Sequence, residues 1–358
     1  MKPIIHMRSV RRLAVSVLFC MILLGVLTLA GMILKPTRSL LTRDAGAAWY
    51  GYHKQPDNSL DVLFFGTSHV FNGVDPSTIW KSEGIASYVL AGPTQPLAIA
   101  RHYVAEAMLT QSPKVIAVEL SNLNYNERNY VREFHLINVG YMPWGINRVK
   151  AALIDTPRSD RTDTLVDLWA YHSRWSSLKP ADFNLAKRSP ADDYLKGFRV
   201  IARSRSVPAT PNANPTKPSA SIIAAEDRSI GYLREIARLC EANDSELLLF
   251  LTPTGPPGAY KRSFEHAKKD LSGEFDNVTF LDLSAPNAVP GLSYETDFFD
   301  SGHLVTLGAE KSSKVLAAYL ADTYGLRDRR HDPAYAQWAR DVKLRDELVQ
   351  ERVYSKRP

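Results

Sequence analysis

The stretch Asp61-Val-Leu-Phe-Phe-Gly-Thr-Ser-His69 joins a short apolar run to an abrupt Gly-Thr-Ser ending. An uninterrupted apolar run of this length is typical of a strand buried on both faces, as in a parallel sheet. Gly66 removes a side chain where a tight turn has to follow. The stretch therefore predicts a buried strand whose turn carries Ser68 to one edge of a sheet.

Similar apolar runs recur along the chain, and segments with helical periodicity separate them. The predicted strands are Asp61–Phe65, Ala86–Ala91, Val115–Leu120, Glu246–Thr252 and Val278–Leu283. The predicted helices are Pro76–Gly84, Pro96–Thr110, Ile230–Asn243 and Leu307–Tyr324. Strands that alternate with helices at this spacing indicate an α/β fold in which helices cover both faces of an open parallel sheet.

A second stretch, Phe298-Phe-Asp-Ser-Gly-His303-Leu-Val-Thr-Leu-Gly-Ala309, places Asp300 three residues before His303 and just ahead of the last predicted helix. A serine nucleophile needs a base within hydrogen-bond reach, and the base needs a third group to hold its tautomer. Because chemistry in open α/β sheets gathers at the carboxyl ends of the strands, we expect Ser68, His303 and Asp300 to converge there. This predicts a catalytic triad in a hydrolase or acyltransferase.

Each of these residues also has an ordinary structural interpretation. Ser68 can close a turn at a strand end, His303 can bond locally at a helix start, and Asp300 can form an Asx turn. The combination of Gly-x-Ser with Asp-x-x-His favours the triad, because one mechanism needs both. His69 is an alternative base, but neighbours along a chain seldom face each other. We therefore expect His69 to line the pocket or to support the structure.

The N-terminal region contains an uncharged apolar run from Leu13 to Leu34. At ~1.5 Å per helical residue this run is long enough to cross a bilayer. The basic residues are Lys2, Arg8, Arg11 and Arg12 before the run and Lys35 and Arg38 after it. This bias places the N-terminus in the cytoplasm and the rest of the chain outside it, as a single-pass protein of the cell membrane. A signal peptide cleaved near 29–31 is the alternative, but the length of the run favours an uncleaved anchor.

The charge and the cysteine content exclude some properties of the protein but do not identify its function. The net charge is +6 and the pI is near 9.1. The basic residues responsible are spread along the chain and form no single block, so we expect no nucleic-acid partner. A solvated basic surface and proximity to anionic lipid or wall polymer both stay open. Cys240 is the only cysteine outside the apolar run, which excludes an intramolecular disulfide there. The sequence contains no evident metal-ligand cluster, and we expect neither a metal nor a cofactor.

Two stretches interrupt the alternation of strands and helices. Residues 123–185 are rich in Tyr, Trp, Asn and Arg, and residues 204–221 are rich in Pro, Ser, Asn and Thr. We interpret them as one insertion between the third and fourth strands. The predicted segments are the cytoplasmic N-terminus 1–12, the transmembrane anchor 13–34, the juxtamembrane linker 35–59, the α/β domain 60–325 with an insertion at about 123–225, and the charged C-terminal tail 326–358.

At its two chemical blocks the chain resembles the SGNH (GDSL-like) hydrolase superfamily. Gly66-Thr-Ser68 corresponds to the nucleophile block, and Asp300-Ser-Gly-His303 corresponds to the closing Asp-x-x-His block. The chain is also similar to a membrane-anchored subgroup, the accessory proteins of teichoic-acid D-alanylation and alginate O-acetylation. That similarity rests on the stretches at 66–80, 91–97, 113–120 and 302–320. The resemblance implies a flavodoxin-like three-layer αβα sandwich with a parallel five-stranded sheet.

The resemblance also implies an oxyanion hole, and here the sequence departs from the superfamily pattern. Gly92, after the second strand, takes the place of the oxyanion-hole glycine. The Gly-x-Asn-Asp block is absent, and the chain reads Glu119-Leu-Ser-Asn122-Leu-Asn124 after the third strand. Asn122 is a candidate amide donor or, equally, a polar cap of the strand end. Gln95 is a further candidate for the substrate pocket on position alone.

The function that the resemblance implies is an extracytoplasmic serine-dependent O-acyltransferase. Acetyl is the expected group, and a cell-surface or secreted glycopolymer is the expected acceptor. Such proteins commonly act beside a membrane-bound O-acyltransferase, which is the expected acyl donor. A carbohydrate esterase of the same fold and a noncatalytic assembly partner are the alternatives. The aromatic side chains of 123–185 also allow a carbohydrate-binding role, although such inserts more often pack a core.

Overall fold

The computed structural model of the chain describes residues 3–36, 45–185, 193–211 and 217–354. The parts of the predicted N-terminus, linker, insertion and tail that lie outside the described residues are 1–2, 37–44, 186–192, 212–216 and 355–358. The chain forms two compact units. The smaller unit is Met1–Thr37 with Pro157–Ser189, and the larger unit is Arg38–Thr156 with Pro190–Pro358. The predicted insertion is therefore divided between the two.

Five parallel strands form the central sheet of the larger unit. They are β1 (Val62–Gly66), β2 (Ser87–Ala91), β3 (Val115–Glu119), β4 (Glu246–Leu251) and β5 (Val278–Asp282). Their order across the sheet is β2-β1-β3-β4-β5, and every neighbouring pair is parallel. The predicted strands are confirmed, with each boundary within one residue. Because the chain moves outward from β1 to β2 and then crosses to β3, the carboxyl end of β1 lies at the switch point where such sheets bind ligands.

The other regular elements are helices and one short hairpin. The hairpin strands are β6 (Phe298–Asp300) and β7 (His303–Leu304), which pair antiparallel. The α-helices of the described residues are α1 (Pro3–Leu34), α2 (Ala45–Tyr52), α3 (Ser68–Gly73), α4 (Pro76–Glu83), α5 (Leu97–Ala107), α6 (Arg132–Gly140), α7 (Ile146–Ile154), α8 (Arg161–Leu165), α9 (Asp167–Tyr171), α10 (Ala220–Glu241), α11 (Lys261–Leu271), α12 (Thr306–Tyr324) and α13 (Gln337–Val349).

Helices cover both faces of the sheet, so the predicted three-layer αβα architecture is confirmed. On one face, Val62 and Phe64 of β1 share a buried cluster with Ile79 of α4 and Leu316 of α12. On the other face, α5 contacts β1 and packs against α10, which in turn contacts β4. All five residues of β1 are buried, which is why the run is apolar without alternation.

Local capping signals set both boundaries of helix α4. Asp75 caps α4 by accepting a hydrogen bond from Ser77 N at 3.1 Å, and Gly84 ends that helix in the left-handed conformation with a φ of 68°. Helix α10 differs from the prediction because it begins at Ala220 and not at Ile230. Its first turns bury small or polar side chains, so they lack the bulky apolar stripe by which a helix is recognised in a sequence.

Two segments that the sequence analysis placed outside the α/β domain 60–325 contribute buried side chains to the larger unit. The predicted linker contains α2, whose Trp49 and Tyr52 are buried, and Tyr52 Oη donates to Ala107 O at 2.6 Å. In the predicted tail, Trp338 of α13 stacks on Trp80 with ring centroids 4.8 Å apart. Large aromatic side chains bury more apolar area than any other type, and they outweigh the charged residues around them.

The smaller unit consists of α1 and the segment that packs against its C-terminal end. Within α1, Ser9–Leu34 is a 26-residue stretch of mean hydropathy 2.8. Its length and composition suit a membrane span, and a signal sequence near an N-terminus has the same properties. Helix α9 and the two 3₁₀ turns after it, His172–Ser177 and Pro180–Phe183, contact α1.

Candidate active site

Ser68 begins helix α3, directly after the turn that ends β1. Gly66 adopts a φ of 142°, and a Cβ at this position would lie 2.8 Å from Val70 Cγ2, so a side chain would be strained here. Thr67 caps α3 by accepting a hydrogen bond from His69 N at 3.2 Å. The backbone N–H of Ser68 has no acceptor within the described part of the chain. The turn thus presents both the Oγ and the N–H of Ser68 at the carboxyl end of β1.

The β6–β7 hairpin positions a histidine against this serine. Ser68 Oγ and His303 Nε2 are 2.7 Å apart, and His303 Nδ1 lies 2.8 Å and 2.9 Å from the two carboxylate oxygens of Asp300. Asp300 Oδ1 also accepts backbone hydrogen bonds from Gly302 N at 2.9 Å and from His303 N at 3.1 Å. The three residues that the sequence singled out therefore form one continuous hydrogen-bonded chain.

Tertiary packing creates this arrangement from segments that are 235 residues apart in the sequence. Helix α3 contacts both β7 and α12. The hairpin precedes α12, and α12 packs on the face of the sheet next to α4. Ser68 and His303 consequently meet at the switch point, where a ligand in the crevice can reach both.

The charge of Asp300 favours the tautomer that a general base requires. Partial burial would raise the pKa of Asp300, but the hydrogen bonds from the His303 ring and from Gly302 N outweigh it and hold that pKa below its usual range. An ionised Asp300 only accepts hydrogen bonds, so His303 carries its proton on Nδ1. His303 Nε2 is then the acceptor for the hydroxyl proton of Ser68, which is the geometry of an activated nucleophile.

Gly92 and Asn122 make structural hydrogen bonds that differ from the oxyanion roles expected of them. Gly92 N donates to Gly66 O at 3.0 Å, because the parallel ladder between β1 and β2 continues through this residue. Asn122 Nδ2 donates to Thr94 O at 3.2 Å and to Gln95 O at 3.1 Å, which uses both amide hydrogens. In this arrangement Gly92 N–H is not available to an oxyanion, and Asn122 holds the loop between β2 and α5.

Gln95 has a different environment from these two residues. Its side chain is buried, and neither Oε1 nor Nε2 has a hydrogen-bond partner among the described residues. Its loop leaves β2 beside the Ser68 turn, since Gly92 bonds to Gly66. Leaving a buried amide unpaired costs about 1–3 kcal/mol, so such a group is a candidate for contact with substrate.

His69 packs beside His303, and within the described chain its ring makes no hydrogen bond to the Ser68 hydroxyl. Its ring centroid is 5.2 Å from that of His303 and 5.6 Å from that of Tyr260. Burial, reinforced by the neighbouring His303, lowers the pKa of His69 to about 3, so this ring is neutral at physiological pH. A Cβ on Gly302 would lie 2.9 Å from His69 Nε2, so glycine permits the close approach of the hairpin.

Glu119, at the end of β3, is a site residue that sequence reasoning missed. Glu119 Oε2 accepts hydrogen bonds from Ser121 Oγ at 2.7 Å and from Thr67 Oγ1 at 3.3 Å. Burial raises the pKa of Glu119 to about 7, and the hydrogen bonds from Ser121 and Thr67 oppose this rise. Because Thr67 precedes Ser68, the hydrogen bond from Thr67 Oγ1 joins the end of β3 to the turn that carries Ser68. A carboxylate that ends an otherwise apolar strand is the signal that could have identified it.

The described residues bring one set of metal-ligand types together away from the triad. Single ligand atoms of Asp227, His266 and Asp270 lie within 4.8 Å of one another. His266 Nδ1 already bonds to Glu226 at 2.9 Å, and its Nε2 lies 3.4 Å from Asp227. This cluster is a set of surface ion pairs, and exposed acidic groups of this kind are common without an ion.

Comparison with known proteins gives distant likenesses. No protein-family model and no curated protein matches the chain in sequence. It is similar to the crystal structure of a provisionally assigned acylhydrolase from Bacteroides fragilis NCTC 9343, with 13% identity and a TM-score of 0.39 over 78% of this chain and 98% of that chain. It is also similar to an acetyl xylan esterase from the rumen bacterium Butyrivibrio proteoclasticus, with 12% identity and a TM-score of 0.35 over 76% of this chain and 66% of that chain. At these identities and TM-scores the likenesses carry no argument about activity.

Proposed function

We propose that this protein is a serine-dependent acyl-transferring enzyme in which Ser68 becomes acylated. The observation that carries the proposal is the continuous hydrogen-bonded chain from Ser68 through His303 to Asp300 at the carboxyl end of the sheet. The serine, the base and its orienting carboxylate each occupy the position that nucleophilic catalysis requires. An assembly factor without catalytic activity has no need of this geometry.

In the first half-reaction, Ser68 Oγ attacks the acyl carbonyl while His303 Nε2 accepts the hydroxyl proton. Asp300 stabilises the imidazolium through the hydrogen bond to Nδ1. The bond between the carbonyl carbon and the leaving oxygen then breaks, and the leaving oxygen takes the proton from Nε2. Acyl-Ser68 and a free alcohol result. Proton transfer by a positioned side chain contributes about 10²–10⁴-fold to such a step.

The oxyanion that forms during the attack needs hydrogen-bond donors within the site. The backbone N–H of Ser68 is one donor, because no other group in the described chain uses it. The amide of Gln95 is the candidate for a second donor, since it is buried and unpaired on the neighbouring loop. Gly92 and Asn122 act in this proposal by fixing that loop.

In the second half-reaction an acceptor hydroxyl gives its proton to His303 Nε2 and attacks the acyl carbonyl. The bond between the carbonyl carbon and Ser68 Oγ breaks, and Oγ takes the proton from Nε2, which restores Ser68. A glycopolymer hydroxyl as acceptor makes the enzyme an O-acyltransferase, and water as acceptor makes it an esterase. The resemblance to the membrane-anchored subgroup favours O-acetyl transfer. The same proposal includes a membrane-bound O-acyltransferase as the donor of the acyl group.

The proposed location is outside the cytoplasm, with α1 as the membrane anchor. Two observations support it: the uncharged span that ends at Leu34, and the excess of basic residues on its N-terminal side. An extracytoplasmic position would give the Ser68 site access to a cell-surface glycan.

Full-length protein in detergent tests the proposed chemistry. It is incubated with p-nitrophenyl acetate, alone and with a chemically deacetylated surface glycan, and compared with Ser68→Ala. Ser301→Ala is the matched control, because Ser301 is exposed in the same hairpin and its hydroxyl has no hydrogen bond within the described chain. We expect Ser68→Ala to lose ester turnover and Ser301→Ala to retain it.

The products distinguish an O-acyltransferase from an esterase. Acetate covalently bound to the glycan indicates transfer, whereas acetate released only into solution indicates an esterase. Equal turnover by the unmodified protein and by Ser68→Ala would contradict both and leave the noncatalytic assembly role.

A further inference from the structure

The exposure of α1 changes near its C-terminal end. Every residue from 9 to 29 is exposed, whereas Gly31 and Leu34 are buried. Residues 13–29, the uncharged part of this exposed stretch, span roughly 26 Å at 1.5 Å per residue, close to the thickness of the hydrocarbon core of a bilayer. The part of α1 that protein covers therefore begins where a membrane-spanning helix leaves the hydrocarbon.

The protein that covers this end of α1 is residues 157–185, here called the α1-associated segment. A Cβ on Gly31 would lie 3.0 Å from Leu168 N, which shows how closely the two backbones approach. Lys35 Nζ pairs with Asp167 Oδ1 at 3.0 Å. Arg174 donates to the carbonyl of Leu34, the last residue of the helix, and so caps its C-terminus. These contacts fix the segment at the level of the helix end.

The α1-associated segment exposes large aromatic side chains. Trp169 is 63% exposed, Trp175 is 73% exposed and Phe183 is 60% exposed. Exposed rings of this size in water forfeit hydrophobic free energy, at about 25 cal/mol per Å² of apolar surface. Trp and Tyr concentrate at the membrane–water interface, where the ring is buried and its polar edge stays hydrated. The level fixed by Leu34 is the level at which this preference applies.

We propose that the α1-associated segment is a membrane-interface element whose Trp169, Trp175 and Phe183 insert into the headgroup region of the bilayer. The inference rests on the proposed anchor role of α1. It also gives part of the aromatic-rich insertion a partner, the lipid surface, in place of a sugar. Lys35 and Arg174, at the same level, are typical of the basic residues that flank a span.

Quenching of tryptophan fluorescence by brominated lipid tests the proposal. Full-length protein is reconstituted into phosphatidylcholine vesicles in which part of the lipid is brominated near the top of the acyl chain. The double variant Trp169→Phe/Trp175→Phe keeps apolar rings at both positions and removes only the fluorophores. Trp144→Phe is the control, since Trp144 is 65% exposed but belongs to the larger unit.

We expect brominated lipid to quench the unmodified protein and the Trp144→Phe protein by a similar intensity. Most of that quenched intensity should be lost in the double variant. Equal quenching in the double variant and the unmodified protein would overturn the proposal, as would absence of quenching in all three. Glycan-induced changes in emission that need Trp169 and Trp175, without any lipid quenching, would assign these rings to sugar binding.

A fluorophore on Cys20 separates failure of this inference from failure of the anchor itself. Cys20 is exposed in the middle of α1, and Cys240 is buried, so a thiol reagent labels Cys20 selectively. Lipid brominated near the bilayer centre should quench this label if α1 spans the membrane. A quenched Cys20 label with no contribution from Trp169 and Trp175 refutes the interface element alone. An unquenched Cys20 label refutes the anchor and the interface element together.

Discussion

Replacement of Asp300 by Asn tests whether this residue orients the His303 ring. Asp300 Oδ1 accepts hydrogen bonds from Gly302 N and from His303 N, and these two backbone donors will retain the carbonyl oxygen of an asparagine. The amide NH₂ then takes the Oδ2 position and faces His303 Nδ1, where the carboxylate accepted a hydrogen bond, and the neutral oxygen at the Oδ1 position is a weaker acceptor than the carboxylate. Donation by that amide favours the His303 tautomer with its proton on Nε2, and that tautomer cannot accept the proton of Ser68.

The expected magnitude follows from the exposure of the site. Loss of a positioned general base removes about 10²–10⁴-fold of rate. The Asp300 side chain is 45% exposed, so water partly replaces its contact with the imidazolium, and we expect a loss of about 10²–10³-fold, or roughly 3–4 kcal/mol of transition-state stabilisation.

The assay is kcat/KM for p-nitrophenyl acetate, with thermal unfolding measured alongside. Ser301→Ala is again the matched control, since it changes the same turn without changing a hydrogen bond to the base. Activity of a normally folded Asp300→Asn within about threefold of the unmodified protein would contradict the orienting role of Asp300, because a histidine held in the wrong tautomer cannot retain that much activity.

Gly66→Ala should destabilise the larger unit by about 1–3 kcal/mol in urea unfolding, because its backbone needs a positive φ, whereas Gly231→Ala, with nothing within 4 Å of the new Cβ, should be neutral or stabilising by up to about 1 kcal/mol. The pKa of Glu119 in the folded protein is about 7, above its usual value. Its contribution to the free energy of unfolding is therefore fully present below about pH 4.5 and falls by roughly 3 kcal/mol as pH rises through 7. Glu119→Gln should remove that decline between pH 5 and pH 8, and an unchanged slope would contradict the assignment. Trp338→Ala should cost about 3–5 kcal/mol and Trp144→Ala no more than about 0.5 kcal/mol, because only Trp338 is buried; equal costs would show that the tail lies outside the core.

The sheet and the three residues of the triad could be predicted because each has a strong local signal. A strand buried on both faces, such as β1, must be apolar at every position, and this pattern ends at a glycine that the turn requires. Gly-Thr-Ser68 and the Asp300-x-x-His303 block each follow or precede one regular element. Because ligand sites lie at the carboxyl ends of parallel strands, both blocks are expected at the same edge of the sheet.

The hydrogen bonds around the triad depended on register, which local sequence does not specify. Gly92 N–H bonds to Gly66 because Ala91 pairs with that residue across the ladder. One residue of difference in strand length decides whether such an N–H is free. Asn122 and Glu119 likewise depend on which loop and which turn lie beside β3. Only tertiary packing settles these partners.

The helices that the sequence analysis missed lack a regular apolar stripe. Helix α2 is anchored by Trp49 and Tyr52 within eight residues, which is too short for a convincing period. The α1-associated segment consists of short helices and 3₁₀ turns held by polar contacts such as Lys35–Asp167. These contacts join residues 132 positions apart, so no local pattern could predict them.

The most direct test of Ser68 as an activated nucleophile is the intact mass of the full-length protein after brief exposure to diethyl p-nitrophenyl phosphate. This reagent forms a stable adduct with an activated serine, because the phosphoryl group resists the second half-reaction. We expect one adduct per chain, located on Ser68 by peptide mapping and absent from Ser68→Ala. No adduct on the folded protein, or equal labelling of Ser68→Ala, would contradict an activated nucleophile at this position.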